Sequence, residues 1–509
     1  MATDPEPARA PAATGESEHH RALIIGAGFS GLGLGIRLRQ AGESDFLILE
    51  AAAGPGGTWW FNRYPGCACD VQSHLYSFSF APRPEWSRQF APRAEIQAYL
   101  ADCVARFGLG PHLRFDSAVT RARWDETARR WEVTDRRGQV RTAEVLVSAI
   151  GGLSRPARPD IPGLDDFAGP VVHSQQWPET LSLAGKRVAV IGTGASAIQF
   201  VPQVQREAKT LTVYQRSPQW ILPKPDREIP PARRALYHRF PPARWLVRLG
   251  LFLLLESRLP AFARFPRLTW LHQRKARRHL QSQVADPALR AKLAPAYAMG
   301  CKRVLMSNDY YPAIAADNVE LVTTPIRSVG AETITDAQGV VRPADIILLG
   351  TGFQATAPVP AGMIIGRGGR DLSRLWADGP AAYKGTAVSG FPNFFTLLGP
   401  NTALGHNSVI LMIEGQIRYV VGALKWMERR GAGVIEVRED AQRAWNDRLQ
   451  QRLARTVWNR GGCSSWYLHP VSGRNATLWP RFTTTFRWLT RRFDAAAYRC
   501  DGAGRHAPQ

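Results

Sequence analysis

Cysteine is scarce, with six in 509 residues. That is too few for a disulfide scaffold, and no pair has the spacing of a zinc site, so no metal is expected. Cys67 and Cys69 are separated by one residue, a weak metal or redox signal that reads as two small buried residues near a ligand. Long apolar runs are missing as well. The longest, 249–255, is far short of the roughly 20 residues that cross a bilayer. Residues 1–20 lack the cationic start and apolar core of a signal peptide. Rich in Ala, Pro and Glu, they are expected to form a disordered leader, with a similar tail over 501–509. The expected compartment is the cytoplasm. Otherwise the composition, 45% hydrophobic and 21% charged, is that of a soluble globular protein and excludes disorder as the dominant state. The length suggests about three domains at roughly 150 residues each, enough to fold without disulfides or metals.

Acidic residues are also in short supply: 42 Asp and Glu face 65 Lys and Arg, a net charge of +23. Such an excess points to an anionic partner, whether nucleic acid, a membrane surface or a phosphorylated cofactor. It is confined to two windows. Residues 231–303 hold sixteen Lys and Arg against Glu256 and Asp286 alone, and residues 451–500 hold nine Arg against Asp494. The rest of the chain is close to neutral. No nucleic-acid reader motif is present, so nucleic acid is not an expected partner. Residues 231–300 read as a helical subdomain packed on its own protein. The apolar stretch 245–255, flanked by Arg244, Arg258, Arg264 and Arg267, leaves peripheral membrane contact as the alternative.

Two glycine turns carry the chemistry. The apolar strand 21–25 runs into Gly26-Ala27-Gly28-Phe29-Ser30-Gly31, a helical stretch continues to 40, and a second strand, 46–49, ends on Glu50. In this βαβ unit Gly26 permits the tight turn, Gly28 lets a pyrophosphate approach the backbone, and Gly31 allows close helix–strand packing. Glu50, nineteen residues after Gly31, stands where an acid accepts hydrogen bonds from ribose hydroxyls. The pattern recurs with strand 186–191, the turn Gly192-Thr193-Gly194-Ala195-Ser196-Ala197, a helix from 198, and strand 211–215. There the strand ends on Arg216, which pairs with a 2′-phosphate that an acid would repel. The first site therefore suits FAD and the second NADPH, with hydride passed between them. Disulfide reductases share that layout but need a C-x-x-x-x-C pair, which Cys67 and Cys69 do not form. A third strand, 345–349, runs into Gly350-Thr351-Gly352, and Pro-rich stretches at 155–162 and 223–231 read as connections between domains.

Between the turns, Phe167, Gly169, His173 and Trp177 with Pro178 match F-x-G-x-x-x-H-x-x-x-W-P, and in this the chain resembles the Baeyer–Villiger monooxygenases. Gly56-Gly57-Thr58-Trp59, Asn62-Arg63-Tyr64-Pro65-Gly66 with Asp70, Gly300-Cys301-Lys302-Arg303, Gly350-Thr351-Gly352 and Leu398-Gly399-Pro400-Asn401 are similar to that family too. Ala149-Ile150-Gly151 departs from its usual Ala-Thr-Gly. The resemblance covers about 21–500 and implies an α/β fold of two Rossmann-like domains. An NADP domain (156–329, with the helical insert 231–300) interrupts a discontinuous FAD domain (21–155 and 330–500). It implies that NADPH reduces FAD, that the reduced flavin carries O2 as a C4a-peroxide, and that this attacks a ketone to give an ester or lactone. Arg303 would be the catalytic cation and Asp70 its counter-ion, also tuning the nicotinamide step, with Lys302 joining Arg216 on the 2′-phosphate. Gly57, Thr58, Trp59, Ser196 and Gln199 would complete the cofactor contacts, and His173 would couple the domains.

Trp59, Trp60 and Trp466 are candidates either for the pocket or for aromatic core. Asn475-Ala476-Thr477 is a glycosylation sequon to which no role is given. Two other functions stay open: a heteroatom oxygenase acting on sulfides or amines, as in flavin-containing monooxygenases, and a membrane-associated flavoprotein without oxygenation. The particular substrate and the oligomeric state are not legible.

Overall fold

Ala22–Ile25 and Phe46–Leu49 are apolar runs without alternation, which suits strands covered on both faces. In the computed structural model, which describes residues 18–503, both are inner strands in the parallel part of a mixed sheet. Glu18–Ile25 pairs with Phe46–Leu49 on one side and Val140–Ser148 on the other. This eight-stranded sheet runs Ile364–Ile365, Val119–Asp125, Arg130–Asp135, Val140–Ser148, Glu18–Ile25, Phe46–Leu49, Leu113–Arg114. Phe394–Thr396 lies beside the C-terminal end of Val140–Ser148. The first domain is thus discontinuous, since two of its strands come from beyond residue 360. The helices Phe29–Gln40 and Val409–Arg430 pack together on it, so closely that a Cβ on Gly33 would stand 2.9 Å from the Ile417 side chain.

Both expected disordered ends are shorter than the sequence suggests. His19 and His20 pair with Thr142 and Ala143, so residues 18–20 belong to the first strand and not to a leader. Tyr498–Ala503 pairs antiparallel with Ala432–Val437, so residues 501–503 are not tail. The rest of the expected leader and tail, 1–17 and 504–509, lies outside the described residues.

The second domain holds five parallel strands in the order Val319–Val322, Thr210–Tyr214, Arg187–Ile191, Ile346–Leu349, Val171–His173. The expected boundary at 329/330 is therefore displaced. Ile346–Leu349 is buried between Arg187–Ile191 and Val171–His173, and Val329, Ile334 and Ala344 share a core with Leu164 and Phe167. The second domain continues to about 349. Two antiparallel stretches cross back to the first domain, with Pro156 bridged to Phe353 and the Ala157 amide donating to the Gly352 carbonyl at 2.9 Å.

Five helices fill 231–293, from Pro231–Arg239 to Pro287–Leu293. Arg248 anchors this insert to the first domain. Its guanidinium donates to the His74 carbonyl at 2.7 Å and the Ser77 carbonyl at 3.0 Å, while the Tyr237 ring meets His74 edge-on. The insert therefore packs on both domains and is not solely an appendage of the second. One disulfide is present among the described residues: Cys301 is joined to Cys463, 162 residues away. Sparse cysteines exclude a scaffold but not a single long-range staple. Among the described residues no helix is long and apolar enough to cross a membrane.

Candidate active site

At the first turn Gly26 has φ +107°, and a Cβ on Gly31 would lie 1.9 Å from the Gly26 carbonyl, which only glycine tolerates. The helix starting at Phe29 has no side-chain cap on Gly28, and a Cβ there would meet nothing nearer than the Gly57 Cα at 3.6 Å. An uncapped helix start with an open approach fits a dinucleotide pyrophosphate. The buried Glu50 carboxylate accepts from the Ala27 amide at 2.6 Å and the Ala52 amide at 2.9 Å. Burial raises its pKa against those hydrogen bonds. It thereby braces the turn, and lone pairs remain for ribose hydroxyls.

A cavity of about 950 Å3 opens between the domains. Thr58 and Trp59 belong to its wall, whereas Gly26, Gly28, Gly31, Glu50 and Gly57 do not. From the second domain it collects Gly192, Thr193, Gly194, Ser196, Arg216 and Lys302. Gly192, with φ +105°, closes the second turn against the Gly350 carbonyl, and a Cβ on Gly194 would meet nothing nearer than that same carbonyl oxygen at 3.8 Å. Arg216 is exposed. Lys302 donates from Nζ to the Ser217 hydroxyl at 2.6 Å, and burial together with Arg216 lowers its pKa. Two cations thus stand beside a glycine turn, as a 2′-phosphate requires. Gln199 lines the cavity too, but its amide is already engaged. It accepts from the Tyr64 hydroxyl at 2.9 Å and donates to the Ala68 carbonyl at 2.9 Å. It thereby latches the two domains together.

Across the wall, Arg303 and Asp70 form a two-point ion pair although they are 233 residues apart, with Nε–Oδ2 at 2.6 Å and Nη2–Oδ1 at 2.8 Å. Each side chain is about a third exposed, and both line the cavity. Arg303 lowers the Asp70 pKa against burial, and Asp70 raises that of Arg303, so both stay charged. The buried hydroxyls of Tyr76 and Tyr467 line the same wall. Burial pushes that of Tyr467 up to about 12, and both remain protonated. The disulfide adjoins this site, since Cys301 precedes Lys302-Arg303 and Cys463 precedes the wall residues Ser464–Tyr467. Sequence reasoning missed Tyr76, Tyr467 and Cys463; only a cysteine at each end hinted at the last.

Phe167, Gly169, His173 and Trp177 lie away from the cavity wall. His173 donates from Nε2 to the Gly352 carbonyl at 3.0 Å and accepts at Nδ1 from the Gln175 amide at 3.1 Å, and burial lowers its pKa. It is a neutral ring tied to the inter-domain crossing. A Cβ on Gly169 would stand 2.1 Å from the Asp345 carbonyl, Phe167 is core, and Trp177 packs on Phe200. Of the three candidate tryptophans, Trp59 and Trp466 line the cavity. Trp60 instead packs over Gly54 and beneath Arg63. Asn475 is fully buried, so its sequon is not a modification site.

A family model described as pyridine nucleotide-disulphide oxidoreductase matches residues 23–235, the stretch holding both glycine turns. A Baeyer–Villiger monooxygenase of Pseudomonas aeruginosa is 54% identical over 98% of this chain and 93% of its own. One of Streptomyces coelicolor is 50% identical over 94% and 92%. Among solved structures, oxidized steroid monooxygenase bound to NADP aligns with a TM-score of 0.83 and 32% identity, covering 95% of this chain and 99% of its own. Cyclohexanone monooxygenase from Rhodococcus bound to NADP+ aligns with a TM-score of 0.85 and 28% identity, covering 96% and 100%. With near-complete coverage and half or more of the residues identical, the chain belongs to the Baeyer–Villiger monooxygenases, flavoenzymes that use FAD and NADPH.

Proposed function

We propose that this chain inserts one oxygen atom of O2 beside the carbonyl of an apolar ketone, giving an ester or lactone, with Arg303 as its catalytic cation. The Arg303–Asp70 pair carries the reading, because it stands in the wall of the cavity that also holds the NADP turn, Arg216 and Lys302. When bound, NADPH supplies hydride and FAD supplies electron transfer and oxygen activation. The chain's own residues supply the rest. Arg216 and Lys302 hold the 2′-phosphate, and the amides around Gly192 and Gly194 receive the pyrophosphate. Asp70 fixes the Arg303 guanidinium by two hydrogen bonds, presenting its free N–H donors where negative charge develops on oxygen. Ile150, Leu153, Trp376, Leu397 and Leu404 line the cavity and keep water away from the reacting atoms. Those same apolar walls favour a ketone with an aliphatic body.

Arg303→Ala tests this reading. The purified variant is expected to bind FAD and bleach it with NADPH at a rate close to wild type, while ester formation falls at least about a hundredfold. Ester formation at the normal rate would overturn the assignment of Arg303. A panel of ketones and sulfides, analysed by product, tests the reaction itself: clean sulfoxide formation with no ester from any ketone would show a heteroatom oxygenase instead.

A further inference from the structure

Neither cofactor nor ketone uses the helical insert's outer face, yet that face is built unlike an ordinary protein surface. Eleven of the twenty large hydrophobic side chains exposed among the described residues fall between 236 and 271. Soluble proteins scatter such residues singly. The helix Pro241–Glu256 shows how they are gathered. Arg248, Leu255 and Glu256 are buried toward the protein, while Trp245, Leu246, Leu249, Leu253 and Leu254 point outward, Trp245 at 60% and Leu246 at 67% exposure. Leu268, Trp270 and Leu271 continue the exposed apolar surface into the helix Trp270–Gln283. Its next turns present Arg274, Lys275, Arg277 and Arg278 to solvent.

We propose that this insert is a docking face for an anionic lipid bilayer, on which the enzyme rests as a peripheral protein. The charge decides the occupant. The two acids of 231–303 are both occupied: Glu256 is buried against His406 and Asn407, and Asp286 caps the helix Pro287–Leu293. Among the described residues, Arg303 is the one Lys or Arg of that window in an ion pair, with Asp70, while Glu256 lies against the His406 ring. The outer face therefore offers apolar side chains and unneutralised cations together. A second copy of the chain would bring the same positive charge against it, and aliphatic side chains give a nucleic acid nothing to stack on. A bilayer with anionic headgroups satisfies both features at once, since leucine and tryptophan enter the headgroup–acyl boundary while arginine and lysine stay with the phosphates. The Arg248 anchor holds the face in a fixed orientation. This inference stands apart from the oxygenation reading.

Full-length enzyme loaded with FAD is to be sedimented with vesicles of phosphatidylcholine alone and of phosphatidylcholine with phosphatidylglycerol in equal parts. Binding is expected only to the second, falling steeply as salt is raised. The double variant Arg274→Gln/Lys275→Gln should weaken that partition about thirtyfold. Leu246→Ser/Leu253→Ser should weaken it further while NADPH-driven flavin reduction in vesicle-free buffer stays unchanged. No sedimentation with anionic vesicles at low salt would overturn the proposal. So would equal binding by both variants, salt-sensitive binding of RNA that competes the vesicles away, or self-association in solution abolished by the leucine substitutions.

Discussion

Arg216 and Lys302 stand at the same end of the cavity, yet they arrive there differently: one closes a strand and the other leaves the insert. If both hold the 2′-phosphate, removing either breaks a charge-assisted contact made by NADPH and not by NADH. Arg216→Ala and Lys302→Ala are each expected to raise the KM for NADPH about tenfold to a hundredfold and to leave that for NADH nearly unmoved. Steady-state kinetics with the two nucleotides checks this, and an equal loss for both would mean that the residues act on structure alone. These two, with Asp70 and Arg303, were legible because short motifs fix their spacing to a turn or a strand end. Gln199 shows the limit of that reasoning. Its place on the first turn of a helix was readable, but its engagement by Tyr64 and Ala68 depends on a loop of the other domain. Tyr76 and Tyr467 stayed hidden for the same reason, since the cavity wall is assembled from segments distant in the chain.

Each element was found where its local pattern was strong, and missed where pairing decided its place. The strand 46–49 was read to its ends, because an apolar run between a helix and an acid has few alternatives. The strand at 345–349 is legible, but the expected boundary at 329/330 puts it in the first domain; nothing in its own residues records that Arg187–Ile191 is its neighbour. The Cys301–Cys463 link is invisible by the same logic, and its consequence is local. It ties the segment bearing Lys302 and Arg303 to the loop that supplies Ser464–Tyr467 to the wall. Closing so long a loop restricts the unfolded chain, and Cys463→Ser is expected to destabilise the protein by about 2–4 kcal/mol. Urea unfolding with and without dithiothreitol provides the check. Reductant should weaken the wild type by a similar amount and leave the variant unchanged; equal sensitivity in both would mean that the link is not formed in solution.

The net charge of +23 is a property of the whole molecule only in name, for its largest excess sits on one helical insert. That insert must be held to the first domain against its own repulsion, and His74 is part of the seam, its ring against Tyr237 and its carbonyl on Arg248. Burial, with Arg244 and Arg248 close by, lowers the His74 pKa from 6.5 to about 4. Between those values the unfolded chain takes up a proton that the folded chain refuses. Stability is therefore intact above pH 6.5 and declines as the solution is acidified toward pH 4. Two and a half pH units correspond to about 3 kcal/mol from this one ring, with the neutral, buried His173 adding in the same direction. Urea unfolding measured near neutral pH and again near pH 4.5 should show the loss. His74→Phe, which keeps an aromatic ring against Tyr237 but has no proton to gain, should flatten much of it. Parallel pH dependence in wild type and variant would place the acid sensitivity elsewhere and leave the seam between insert and first domain indifferent to protons.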